Sequence, residues 1–207
     1  MADLASLRLA GLLASRLCHD LVGPLGAVDN GLELISEGGG MAEEALALAL
    51  RSSKRATGRL QYFRFAFGAA GEDASFGANE ARGLVQVLIQ GTEIQLDWPS
   101  AADGLPPGAA RLLLNMILLA IDCLPRGGRI QVAAGADRLA VECTAPLARM
   151  TPELKSAIGG STGLAALTAR TVVGHYAALL AVSLGGELSI QEEGTGKIRL
   201  QARLGRA

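Results

Sequence analysis

The chain has 207 residues, enough for one ordinary domain or two small ones and for a substantial core. Half of them are hydrophobic but only 3% are aromatic, so Ala, Leu, Val and Ile fill that core, which favours helix packing over an aromatic-rich binding surface. The formal net charge of −1 excludes general nucleic-acid affinity, which needs a basic excess to displace counterions from phosphates.

The start, Met1-Ala2-Asp3-Leu4, lacks the basic residues, apolar stretch and cleavage site of a signal peptide. The best membrane-span candidate, Gly163 to Leu184, carries Arg170 and His175 and is interrupted by glycine, so it reads as a buried amphipathic helix. Cys18, Cys123 and Cys143 are scattered without metal-ligand spacing, as expected of reduced thiols in the cytoplasm.

A helix is predicted from Ala5 to Ser36. Leu17, Leu21, Leu25, Val28, Leu32 and Ile35 recur at three- and four-residue steps and define one apolar seam. His19 lies two residues from both Leu17 and Leu21, about 200° round the helix, and so points away from the seam. Cys18 is expected to pack. Glu37-Gly38-Gly39-Gly40 supplies a turn. A second helix follows from Met41 to Phe67, with Leu46, Leu50, Leu60, Phe63 and Phe67 on one side. So short a connection makes the two helices an antiparallel hairpin. A hairpin cannot cover both its apolar stripes from water, whereas a second copy can, which predicts a homodimer with a four-helix bundle at its centre and His19 facing outward.

The second helix carries Arg51, Lys54, Arg55, Arg59 and Arg64 and no acid between Ala45 and Gly71. A solvated face is the usual fate of such a run. Arg51, Arg55 and Arg59 nevertheless form a stripe of mutually repelling charges, from which an acidic partner or a phosphoryl group would benefit. Arg59 lies as far beyond the turn as His19 lies before it, which puts the two at about the same level of the hairpin. Arg59 is therefore a candidate to steady phosphoryl charge near His19.

Gly68 to Gly77 reads as a linker. Beyond it, Asn79 to Gln90 reads as a helix capped by Asn79, Ile94 to Trp98 as a strand, and Pro107 to Leu124 as a helix apolar on nearly all sides. Arg129 to Ala134 and Arg138 to Cys143 read as strands joined by a Gly-Ala-Asp turn, and Leu164 to Leu184 as a helix. Glu187 to Glu193 and Lys197 to Leu204 close the chain as a hairpin through Gly194-Thr195-Gly196. The pattern predicts an α+β sandwich with helices on one face.

An exposed imidazole on a rigid helix is equipped to act as a nucleophile or proton shuttle. Asp20 either orients the ring or is a solvated helix residue. Gly23, Gly26 and Asn30 follow at steps of four, seven and eleven and share the His19 face. Each glycine costs about 1 kcal/mol in a helix interior, so two of them remove bulk where a partner must approach closely. Pro24 implies a kink nearby.

The run from His19 to Pro24-Leu25 resembles the phosphoacceptor box of sensor histidine kinases, in which the acceptor His is followed by an acid and then by Pro. Asn115-Met116-Ile117-Leu118-Leu119-Ala120 resembles the asparagine box of their ATP-binding domain. Gly160-Ser161-Thr162-Gly163-Leu164-Ala165-Ala166-Leu167 resembles its glycine lid, and His175, Gly185-Gly186 and Gly194-Thr195-Gly196 its closing pattern. Two departures matter. Leu119 stands where the family has its second metal-holding Asn, and Cys143-Thr144-Ala145-Pro146-Leu147 stands where it has Asp-x-Gly-x-Gly, so the nucleotide site is expected to be lost. Asn115 then reads as a polar residue satisfied within its own domain, His175 as a packed helix residue, and the glycines from Gly159 to Gly163 as a leftover loop.

A phosphoacceptor hairpin fused to an emptied kinase-like domain is similar to histidine phosphotransferases of the ChpT type, and Asn30-Gly31-Leu32-Glu33-Leu34 is the most specific part of the match. The resemblance implies a dimerisation hairpin over residues 1–70 and a degenerate ATPase-like α/β sandwich over 77–207. It implies a cytoplasmic phosphorelay in which His19 takes a phosphoryl group from the receiver of a CckA-like hybrid kinase and passes it to CtrA-like or CpdR-like response regulators. No cofactor of its own is implied, since Mg²⁺ would come with the receiver. His19, Asp20 and Arg59 would carry the chemistry, and Gly23, Gly26, Asn30, Arg51 and Arg55 would meet the partner. An ATP-using kinase with a divergent pocket and a non-catalytic receiver-binding module are the competing readings.

Overall fold

The computed structural model describes residues 2–38, 41–73, 75–99 and 105–205. Gly39 and Gly40 of the expected turn and Ala74 of the expected linker lie outside these residues. In chain order the elements are α1 (Ala2–Ser36), α2 (Ala42–Ala66), a 3-10 turn (Ala69–Glu72), α3 (Ala78–Ile89), β1 (Ile94–Asp97) and α4 (Ala109–Asp122). Then come β2 (Gly128–Ala134), β3 (Arg138–Thr144), α5 (Pro152–Ile158), a second 3-10 turn (Leu164–Ala166), α6 (Val172–Ser183), β4 (Glu187–Glu192) and β5 (Lys197–Arg203).

Near the turn Gly31 of α1 faces Ala45 and Ala49 of α2, and further along Asp20 lies beside Arg59, which is the register of an antiparallel pair. A Cβ on Gly31 would sit 2.8 Å from the Ala45 carbonyl oxygen, so the helices reach this separation only over glycine. α1 runs unbroken through Pro24. Its seam is only partly covered: Leu17, Leu21, Val28 and Ile35 are half-buried, but Leu25 and Leu32 are 51% and 53% exposed. The expected apolar side of α2 also divides, since Leu46, Leu50 and Leu60 are exposed whereas Phe63 is buried. Cys18, expected to pack, is exposed beside the exposed His19.

The five strands form one sheet in the order β1-β2-β3-β5-β4, with β1 parallel to β2 and the other neighbours antiparallel. Period-two alternation buries Ile130 and Val132, Leu139, Val141 and Cys143, and Ile198, Leu200 and Ala202 on the inner face. The outer face carries an ion-pair cluster in which Arg199 and Lys197 share Glu142. α4, the crossover between β1 and β2, is buried at every position from Ala109 to Ala120. Its fully buried Leu, Ile and Met side chains contribute roughly 1.5–3 kcal/mol each. The end of α2 completes its cover, with Tyr62, Phe63 and Ala66 in the same core and the Tyr62 hydroxyl donating to the Leu114 carbonyl at 2.6 Å. Packing is thus continuous across the connection from Gly68 to Gly77.

Several boundaries differ from the expected ones for identifiable reasons. α3 starts at Ala78, with Gly77 rather than Asn79 at its cap, and Glu80 Oε2 accepts from the Gly77 N–H at 3.1 Å. α5 was not anticipated, although Thr151-Pro152-Glu153 carries the signals of a helix start, and the Thr151 hydroxyl accepts from Leu154 N–H at 3.3 Å. α6 begins at Val172, not Leu164. Upstream, Thr171 Oγ1 accepts from Thr168 N–H at 3.1 Å, a local bond that competes with helix continuation. His175 is half-buried within α6. Among the described residues no helix is long and apolar enough to cross a membrane.

Gly31→Val should lower the unfolding free energy by about 1–3 kcal/mol in urea titrations, since its methyls meet backbone. Gly23→Ala, whose Cβ would have no neighbour within 4 Å, should instead raise it by up to about 1 kcal/mol.

Candidate functional site

α1 presents the His19 side chain 69% exposed while the Asp20 side chain beside it is only 9% exposed. Asp20 Oδ1 lies 3.0 Å from His19 Nδ1. An ionised carboxylate only accepts, so this contact favours the tautomer in which a neutral ring carries its proton on Nδ1 and its lone pair on Nε2. Asp20 Oδ2 accepts from Arg16 Nε at 2.9 Å, and Arg59 Nη1 stands 3.7 Å from the same oxygen.

Arg16 itself is buried and reaches out of the hairpin. Its Nη1 donates to Asp122 Oδ2 and its Nη2 to Asp122 Oδ1, each at 2.8 Å, a fully bidentate pair with the last residue of α4. Burial disfavours the Arg16 cation, but Asp122 and Asp20 outweigh it and hold its pKa above that of a free guanidinium. Arg16, His19, Asp20 and Asp122 line a cleft of about 380 Å³ between the hairpin and the sheet unit, together with Arg149 and Arg170.

The family model for the histidine phosphotransferase C-terminal domain matches residues 78–196. The protein phosphotransferase ChpT of Brucella abortus (strain 2308) is 35% identical over 192 residues, covering 90% of this chain and 91% of that one. The chain belongs to the ChpT-type histidine phosphotransferases. A solved structure of a bacterial phosphotransferase superposes with a TM-score of 0.84 at 34% identity, covering 95% of this chain and 96% of that one.

Of the residues singled out in the phosphotransferase sequence, the structure brings His19, Asp20 and Arg59 into one cluster. Gly23 and Asn30 are exposed and Gly26 half-exposed along α1, and a Cβ at either glycine would meet nothing within 4 Å. Packing inside this chain therefore does not require those glycines. Arg51 is exposed, whereas Arg55 turns to the loop after α3 and donates to the Gly91 carbonyl at 2.9 Å.

Two members of the cluster escaped the sequence reading. Arg16 carried a legible signal, an i, i+4 spacing to Asp20 on the His19 helix. Asp122 is 106 positions away and carried none. At the positions where the sequence resemblance would put a nucleotide site, Asn115 Nδ2 donates to the Ala66 and Arg111 carbonyls at 2.8 and 2.9 Å, and Leu119 is fully buried. Cys143 is buried in β3 beside Cys123, whose thiol is pushed up by hydrogen bonding to Cys143 and by burial, and stays protonated.

Asp20→Asn should cost about 1–3 kcal/mol in thermal unfolding, because it leaves buried Arg16 facing an amide.

Proposed function

We propose that His19 is the phosphoacceptor of a cytoplasmic phosphorelay, taking a phosphoryl group from the aspartyl phosphate of one receiver domain and giving it to the Asp of another. The observation that carries this reading is the exposed imidazole whose Nδ1 is fixed on Asp20, which leaves Nε2 as the nucleophilic nitrogen. In the first leg an Nε2–P bond forms as the acyl-phosphate P–O bond breaks and the donor carboxylate leaves. The ring keeps its Nδ1 proton and gains positive charge, which faces Asp20 Oδ1. In the second leg a receiver carboxylate oxygen attacks phosphorus, and the imidazole departs neutral with that proton still on Nδ1. Arg59, at the rim of the cluster, is placed to steady phosphoryl oxygens. Mg²⁺ comes with the receiver, and the chain itself uses neither ATP nor a metal. Leu119 and Cys143, both buried and apolar at nucleotide-type positions, support that part of the reading.

Gly23 and Gly26 give the receiver a close approach along α1, with Asn30 at the far end of the same face. The donor would be a hybrid kinase of CckA-like type and the acceptors CtrA-like or CpdR-like regulators. The phosphotransferase acts as a homodimer in which a second copy covers Leu25, Leu32, Leu46 and Leu50, all exposed in the single chain.

Labelled phosphate supplied on a prephosphorylated receiver should appear on the chain as acid-labile, base-stable phosphate and vanish in His19→Ala. Label arriving from ATP alone would make the chain a kinase, and none from a cognate receiver would leave a binding module. Leu32→Glu with Leu50→Glu should convert the dimer to monomer in light-scattering measurements.

A further inference from the structure

Asp20 has two carboxylate oxygens and serves two donors, His19 Nδ1 on Oδ1 and Arg16 Nε on Oδ2. An arginine beside a carboxylate tends to engage both oxygens through two parallel N–H groups. Arg16, one helical turn from Asp20, meets it instead through Nε alone, on Oδ2. The end-on grip of Asp122 on Nη1 and Nη2, each at 2.8 Å, fixes the plane of the guanidinium and with it the direction in which Nε points. The Arg16 side chain is only 8% exposed, so no bulk water competes for those donors.

We propose that Asp122, acting through Arg16, is a positioning residue for the phosphoacceptor: by fixing the guanidinium it aims Nε at Asp20 Oδ2, and that bond holds the carboxylate with Oδ1 turned to His19 Nδ1. The inference rests on the reading of His19 as phosphoacceptor. It gives the sheet unit a part in the transfer that needs neither nucleotide nor contact with phosphorus. It also makes a chemical demand at position 122, namely two acceptor oxygens. An amide offers one acceptor and turns an N–H₂ group toward an Arg16 nitrogen, which frees half of the fork. Glutamate keeps both oxygens, and the Asp122 side chain, 29% exposed, has room for one more methylene.

The test compares the full-length wild type with Asp122→Asn and Asp122→Glu. Nitrogen-15 NMR of His19, assigned with His19→Ala, reads the tautomer. Phosphoramidate, a small donor that needs no docking, reads the nucleophile: the Nε2–P bond forms, the P–N bond breaks and ammonia leaves. A phosphorylated receiver reads the complete reaction. The wild type should hold the Nδ1–H tautomer. Asp122→Asn should shift His19 toward Nε2–H and slow both phosphorylations about tenfold. Asp122→Glu should restore both to within about twofold of wild type. Should the amide variant be too unstable to purify, Asp122→Ser makes the same comparison.

A lower Tm in Asp122→Asn with tautomer and phosphoramidate rate unchanged would overturn the proposal and leave the pair as a brace between helices. Slowed receiver transfer with an unchanged phosphoramidate rate would also overturn it, by placing Asp122 in docking. If the tautomer shifts as expected but wild-type His19 accepts phosphate from neither donor, the phosphoacceptor reading fails and the positioning geometry stands.

Discussion

A helix that is apolar on every side cannot rest on a single neighbour, and α4 imposes that constraint on the whole chain. The inner face of the sheet covers one side of it and α3 and α6 cover others, but the cover is complete only when the end of α2 brings Tyr62, Phe63 and Ala66 against it. Two directional contacts fix the seating: the Tyr62 hydroxyl on the Leu114 carbonyl and the Asn115 amide on the Ala66 carbonyl. With both ends of each bond in rigid helices, the hairpin has little freedom to slide. The last residue of α4 therefore arrives at a defined place on the flank of α1, and that residue is Asp122.

What it meets there is a buried cation. A guanidinium withdrawn from water is costly unless its donors are satisfied, and Arg16 reaches this state by drawing on carboxylates from two separate elements. Electrostatics and packing thus converge on one point. Apolar burial brings α4 and the hairpin together, and the charge network sets how the imidazole at the edge of the contact is oriented. The imidazole is left exposed while the groups that hold it are shielded, a division suited to the nucleophile proposed for it.

Much of this was legible in the sequence. The seam of α1 gives the outward direction of His19, and equal distance from the turn puts Arg59 at its level, 3.7 Å from Asp20 Oδ2, because a helical hairpin converts residue counts directly into height. The Asp20 role was undecided there, since being adjacent in sequence to His19 says nothing of burial. Arg16 passed unnoticed because a charged residue flanking a motif reads as solvated, and only tertiary packing shows otherwise. Asp122 could not be found at all, as no local rule links positions at opposite ends of two units. Cys18 was expected to be covered by packing, but its side of α1 is open. α5 was missed in spite of its Thr-Pro start because its seven residues are too few to show periodicity.

The continuity of the core across the Gly68 to Gly77 connection also bears on how this chain can be recombined. A boundary drawn at that connection looks natural from composition, yet it would separate Tyr62, Phe63 and Ala66 from the helix they cover. Chimeras that exchange hairpins between related proteins would inherit mismatched volumes there unless the crossover falls inside α2, upstream of Tyr62. The unit of inheritance is then α1 with the upper part of α2. The lower part of α2 travels with the sheet, so the hairpin can diverge while Tyr62, Phe63 and Ala66 keep their seating on α4.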